Sequence, residues 1–202
     1  MRFFTSDTHF GHQNIIKYAN RPFVDVPHMN EALVENWNAT VGPEDEVFHL
    51  GDVALGPWVE WDSILTRLNG FKVLVVGNHD RIFKGMSSSQ QERFYPLYAE
   101  WFDVVTDEVK NLLLKDGTKV NLSHFPYTGD SHDGDRYEEF RLPDEGKTLI
   151  HGHTHAEFDA LGMDARVSRT AAGTLQIHVG QDAWLYRPVS EQEVINLIRE
   201  NQ

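Results

Sequence analysis

Five short clusters in this 202-residue chain combine side chains that can hold metal ions or move protons. They are Asp7-Thr8-His9, Gly51-Asp52, Gly77-Asn78-His79-Asp80, Ser123-His124 and Gly152-His153-Thr154-His155. Carboxylate, imidazole and amide donors suit divalent ions such as Mn, Fe, Zn, Co or Ni, and histidine is also the side chain that titrates nearest neutral pH. The chain has 11 histidines and no cysteine, so nitrogen and oxygen, not thiolate, would bind any metal. Singly, Asp-x-His or Gly-Asp is more often a turn than a site. Gly-Asn-His-Asp is expected by chance in about one chain in three hundred of this composition. Five such clusters in one chain therefore ask for a common explanation, and it lies in where they fall.

Each cluster follows a run that reads as a strand. Residues 2–6 and 46–50 form short apolar runs, and 72–76 is rich in β-branched side chains. Between the last two, Trp58, Trp61, Leu65 and Leu68 recur at helical spacing, with Asn69-Gly70 as a stop. Met29, Leu33 and Trp37 mark another helix, closed by Gly42-Pro43. This alternation predicts a largely parallel sheet covered by helices. Residues 109–114 and 118–123 flank Asp116-Gly117, a hairpin signal, and 148–151 and 174–179 read as further strands. The polar stretch 125–147 is too long for a plain connection. Ser190 and Glu193 form a capping box for a last helix containing Val194, Ile195 and Ile198. No linker or repeat interrupts residues 1–202, which read as one domain. In open α/β sheets ligands bind beyond the carboxyl ends of the strands, so the clusters point into one crevice.

Composition narrows the setting. Apolar residues make up 40% and charged residues 24%, near globular averages. There is no apolar run of about 18 residues and no signal-peptide pattern at the start, so no membrane association is expected. With no cysteine to protect, the expected location is cytoplasmic. A net charge of −13 argues against binding duplex nucleic acid, which calls for a basic stripe, although acidity also simply favours solubility.

The ordered set from Asp7 to His155 resembles the calcineurin-like metallophosphoesterases. The opening Ser6-Asp7-Thr8-His9-Phe10-Gly11-His12-Gln13-Asn14-Ile15 is similar to a subgroup of small bacterial and phage-encoded phosphoesterases. So is the late segment from Val179-Gly180-Gln181-Asp182-Ala183-Trp184 through Arg187-Pro188-Val189-Ser190. The resemblance implies a four-layer α/β sandwich with two mixed β-sheets flanked by helices. It implies two divalent metal ions, the first on Asp7, His9 and His155, the second on Asn78, His124 and His153, with Asp52 bridging both. Mn²⁺ is the expected activating ion, with Fe, Zn, Co or Ni as alternatives. His79 would face the substrate, donating a hydrogen bond to a phosphoryl oxygen or a proton to the leaving group. The implied activity is hydrolysis of a small phosphate ester by a metal-bridging hydroxide, without a covalent enzyme intermediate. Two ions about 3.5–4 Å apart neutralise phosphoryl charge and bring the pKa of bound water toward about 7. They would also keep the site cationic, since only Asp7 and Asp52 offset them, in an otherwise acidic protein.

Two rival readings are weaker. Serine/threonine protein phosphatases carry Gly-Asn-His-Glu where this chain has Gly77-Asn78-His79-Asp80, and no Asp-Arg-Gly follows Gly51-Asp52. A scaffold that had lost catalysis would be expected to lack ligands, whereas every matched position is filled. Among the remaining residues, His49 and His151 read as buried structural histidines, and His28 and His178 as structural or exposed. His12 either reaches the substrate or begins a helix, and Asp80 either orients His79 or caps the next turn. Trp37, Trp58 and Trp61 read as core. Arg136, Tyr137 and Arg141 belong by default to a solvated loop, where an arginine could clamp a phosphate. Few cations besides Arg81, Lys84 and those of the 125–147 loop lie near the motifs. Phe125, Tyr127 and Tyr137 could pack against a base. Small phosphodiesters, including 2′,3′-cyclic nucleotides, are therefore expected over monoesters.

Overall fold

Phe3, Val47 and Leu74 face one layer while Phe4, Phe48, Val73 and Val75 face another, the period-two alternation of strands buried on both sides. The computed structural model, which describes residues 1–132, 134–155 and 166–202, places them on β1 (Arg2–Thr5), β2 (Glu46–His49) and β3 (Phe71–Val75). These strands run parallel, with β4 (Val104–Thr106) beside β3. A second sheet contains β5 (Val109–Leu113), β6 (Lys119–Leu122), β7 (Leu149–His151), β8 (Val167–Arg169) and β9 (Leu175–His178), in the order β5-β6-β7-β9-β8. Its three central strands are parallel and its outer two antiparallel. The short β10 (Val189–Ser190) returns to the first sheet, antiparallel to β1. Both sheets are therefore mixed and five-stranded.

Helices cover the outer face of the first sheet. They are α1 (Ile15–Tyr18), α2 (Val26–Thr40), α3 (Asp62–Leu65) and α4 (Ser88–Trp101). Asp25 starts α2 by accepting the His28 N–H, with Pro27 in the first turn, and Met29, Leu33 and Trp37 line its buried face. The expected helix through Trp58 and Leu68 is broken up. A 3₁₀ turn at Trp58–Glu60 precedes the four-residue α3, so Trp61 and Leu68 are buried while Trp58 is 37% exposed and not core.

The inner faces of the two sheets share one core. Phe4, Phe48 and Val75 meet Val120, Leu122, Ile150 and Ile177, and α5 (Glu191–Glu200) adds Val194, Ile195 and Ile198. Each such side chain contributes about 1.5–3 kcal/mol on burial. The Ser190–Glu193 capping box starts α5 as expected. The hairpin turn also forms, with Gly117 at φ +88 and Asp116 accepting the Thr118 N–H. The outer face of the second sheet is covered by the 125–147 loop, through Tyr127 and Leu142 against Leu149 and paired bonds between Gln176 and the Thr128 backbone. No described helix is long and apolar enough to cross a membrane.

Candidate active site

The strand ends of the two sheets are stitched directly together. Across the sheets Ser6 bridges to Gly180, the Gln181 N–H donates to the Ser6 carbonyl at 3.1 Å and the His153 N–H to Asp7 Oδ2 at 3.0 Å. Within each sheet the Asp7 N–H donates to the Gly51 carbonyl at 2.9 Å and the Gly152 N–H to the His124 carbonyl at 3.0 Å. So tight an approach needs glycine. A Cβ on Gly152 would meet Asp7 Oδ2 at 2.7 Å, and one on Gly77 would collide with Asp52 Oδ1. It also bends the chain. Asp7, His9, Asp52, His153 and His155 all have φ between 49 and 72, half of the ten described non-glycine residues with positive φ. Each left-handed residue costs about 1–2 kcal/mol, and such strain gathers at sites whose surroundings enforce it.

Asp7, His9, Asp52 and His155 converge, with one candidate ligand atom from each lying within 4.8 Å of the others. His9 Nε2 is 3.2 Å from His155 Nε2 and 3.6 Å from Asp52 Oδ2, and His155 Nε2 is 3.7 Å from Asp7 Oδ1. Asp52 Oδ2 is also 3.6 Å from His124 Nε2, so one carboxylate oxygen stands between two groups of donors. On the far side, His124 Nε2 lies 3.0 Å from Asn78 Oδ1, and the His124 and His153 rings are 5.2 Å apart. His124 donates its Nδ1 proton to the Leu50 carbonyl at 2.7 Å. In the neutral ring Nε2 is then a bare lone pair facing the oxygens of Asn78 and Asp52. Acceptors crowded without a proton between them fit a bound cation, and both groups offer the nitrogen and oxygen donors that divalent ions take.

The electrostatics agree. Burial pushes the Asp7 and Asp52 carboxyls above their usual range, outweighing the opposing pull of the neighbouring histidines. Burial drives His9 well below the ordinary histidine value, lowers His124, and takes His153 to about 2. These rings are therefore neutral at physiological pH, the form that ligates metal. Burial also pulls on His155, but the Asp7 and Asp182 carboxylates hold it above the usual value.

Several supporting residues carry no local motif. Asp182 accepts the His155 Nδ1–H at 3.0 Å and is gripped by Arg21, whose remaining N–H groups donate to the backbone carbonyls of Asp7 and Thr8. Asp182 falls in the late segment singled out by its similarity, without a role attached there. Asp130, in the long loop, accepts from His153 Nε2 at 3.1 Å. Phe125 packs edge-on against the His124 and His153 rings and stacks on Tyr137 at 5.2 Å.

Asp80 does not contact His79 through its carboxylate. Its two oxygens accept the backbone N–H groups of Asp52, Val53 and Gly77 and the Tyr98 hydroxyl. It therefore caps its own turn and braces the Asp52 loop. Burial and the neighbouring Asp52 raise its carboxyl to about 6. Asp80→Ala strands three buried N–H groups and should cost on the order of 3 kcal/mol or more, read as a lower denaturant midpoint in equilibrium unfolding.

Above the ligands opens a cleft of about 630 Å³. His12 and His79 line it; burial and the cations around it lower His12 to about 4. His79 is exposed there, with its backbone N–H held by Asp52 Oδ1 at 2.8 Å. Arg136 also lines it, but its Nε and Nη2 are engaged by Asp130. Arg141 is no phosphate clamp: its side chain is 5% exposed and binds the Pro126, Gly129 and Arg136 carbonyls and Asp130. Phe125 and Tyr127 are buried, Tyr127 between Asn121 and the Lys147 carbonyl, and neither can stack on a base. The exposed aromatic at the cleft is instead Tyr18, 77% exposed on α1. His49 is satisfied in the core by Thr8 and the Gly51 N–H, and His151 is buried with Nδ1 donating to the Gly152 carbonyl. His28 is exposed and His178 is buried.

Comparison with known proteins agrees with this geometry. The chain is 37% identical over 205 residues to the gene 66 protein of Mycobacterium phage D29, covering 98% of this chain and 96% of that one. It is 30% identical to an uncharacterized protein of Methanocaldococcus jannaschii, covering 98% and 90%. The crystal structure of AQ665, a protein of unknown function from Aquifex aeolicus, superposes with a TM-score of 0.66 at 28% identity over 98% of each chain. The model of the calcineurin-like phosphoesterase family matches residues 3–157, a span that holds all seven candidate ligands, and the chain belongs to that family.

Proposed function

We propose that this chain is a dinuclear metal-dependent phosphodiesterase acting on small diesters, 2′,3′-cyclic nucleotides among them. Asp7, His9 and His155 would hold one divalent ion and Asn78, His124 and His153 the other, with Asp52 shared. Mn²⁺ is the favoured occupant. When bound, such a pair neutralises phosphoryl charge and makes a water-derived nucleophile available near neutral pH. The chain's own residues do the rest. Asp52 Oδ1 fixes the His79 backbone, and the His79 ring, exposed in the cleft, delivers a proton to the departing oxygen. His12, on the same wall, contacts the substrate.

The observation that carries the diester reading is the cleft's charge. Among the described residues lining it, Arg136 is the only arginine or lysine, and its charge is already shared with Asp130. A monoester dianion needs more cationic support than that around its terminal oxygens, whereas a diester monoanion needs room for a second alcohol group. Ile15, Tyr18 and Ala19 form an apolar wall that offers such room. Paired diesters and monoesters with the same leaving group and metal should give a higher kcat/KM for the diester. A clear monoester preference would overturn the substrate class and leave the metal assignment standing. Base–aromatic stacking is worth about 1–3 kcal/mol. Tyr18→Ala should therefore raise KM about 5- to 160-fold for nucleotide or aryl diesters and leave small alkyl diesters unchanged.

A further inference from the structure

The two histidines of Gly152-His153-Thr154-His155 sit two residues apart, yet each is backed by its own carboxylate, one held by a single arginine and the other by two. Behind His155 stands Asp182, 3.0 Å from Nδ1, held at both oxygens by Arg21. The side chains of Arg21 and Asp182 are 0% and 3% exposed. Behind His153 stands Asp130, 3.1 Å from Nε2, with Arg136 donating to Oδ1 at 2.6 Å and Arg141 to Oδ2 at 3.2 Å. The Asp130 side chain is 0% exposed, but that of its Arg136 partner is 41% exposed and lines the cleft. The two relays share no residue.

A carboxylate on the far nitrogen of a ligating imidazole fixes the ring's orientation and tautomer and raises its basicity, and losing it typically costs 10–100-fold in metal affinity. We infer that Asp182 and Asp130 are positioning residues that tune the two ion sites separately. Asp182 and Arg21 set the His155 ion from inside the protein. Asp130 sets the His153 ion and ties it to the loop that forms one wall of the substrate cleft. The arginines serve as the outer members of the relays. Arg21 reaches back to the Asp7 carbonyl, so one guanidinium aligns two ligands of the same ion. Arg136 links the other relay to whatever occupies the cleft. The inference rests on the dinuclear reading above.

Titration of metal-stripped full-length protein with Mn²⁺ or Co²⁺, monitored by calorimetry and by Co²⁺ absorption, tests it without reference to turnover. The wild type should bind two ions. Asp182→Asn should weaken one of them 10–100-fold and spare the other, and Asp130→Asn should do the reverse. Arg136→Gln should give a smaller loss at the same ion as Asp130→Asn. Should Asp182→Asn fail to fold, Arg21→Lys probes the same relay, keeping the charge while losing the paired geometry. Equal weakening of both ions by either variant, or no change in either, overturns the inference. A wild type that binds fewer than two ions under saturating metal would instead refute the dinuclear reading.

Discussion

Asp52→Ala should lose more than about 10⁴-fold in turnover and release at least one metal ion, because it removes the support of both ions and the anchor of His79 together. The geometry concentrates these tasks on one side chain. Asp52 Oδ2 lies 3.6 Å from His9 Nε2 and from His124 Nε2, while Oδ1 accepts the His79 N–H at 2.8 Å. Among the described carboxylates it alone approaches the side-chain donors of both groups, since Asp7 meets the second group only through the His153 backbone N–H. Asp7 approaches His155, and Asp130 and Asp182 each back a single histidine. Ion content by mass spectrometry of the desalted protein, measured beside kinetics, decides the matter. Two ions per chain and near-wild-type turnover in Asp52→Ala would remove it from the bridging role.

His79→Ala is expected to part chemistry from metal binding. It should keep both ions and lose about 10²–10⁴-fold in kcat, the range for a positioned acid–base group. The His79 ring makes an edge contact with the His9 ring at 5.5 Å and lines the cleft, while its backbone is held independently by Asp52. Removing the imidazole therefore leaves the ligand atoms in place. The loss should grow with the basicity of the departing group. An alkyl alcohol needs a proton as it leaves, whereas a nitrophenolate does not, so a leaving-group series in wild type and variant gives the signature. If His79→Ala sheds metal as readily as His153→Ala, His79 is a ligand and its proposed role is wrong.

Much of the site was legible because it is local. A strand running into Gly-Asp or Gly-Asn-His-Asp is encoded within a few residues, and all five clusters do follow strands, as β1, β2, β3, β6 and β7 show. The Asp116-Gly117 hairpin and the Ser190–Glu193 capping box are local in the same sense. Elements with weaker signals escaped. β4 and β8 have three residues each and lie at sheet edges, and β10 has two. In α4, Phe94, Tyr98 and Trp101 have helical spacing, but Pro96 inside the helix obscures it.

By itself the sequence determined which residue types stand at the strand ends and hence which ions and which chemistry they can serve. Tertiary structure alone decided which side chains hold those ligands and which face the substrate. Asp182 meets Arg21 across 161 positions and Asp130 meets His153 across 23, separations that no periodicity encodes. The aromatic residues make the same point in reverse. Phe125 and Tyr127 sit in the loop beside the motifs yet are buried behind them, while Tyr18, more than a hundred residues earlier in the chain, reaches the cleft. Strand faces follow from a two-residue repeat of the backbone, but the direction of a loop side chain is set by whichever distant surface packs against it.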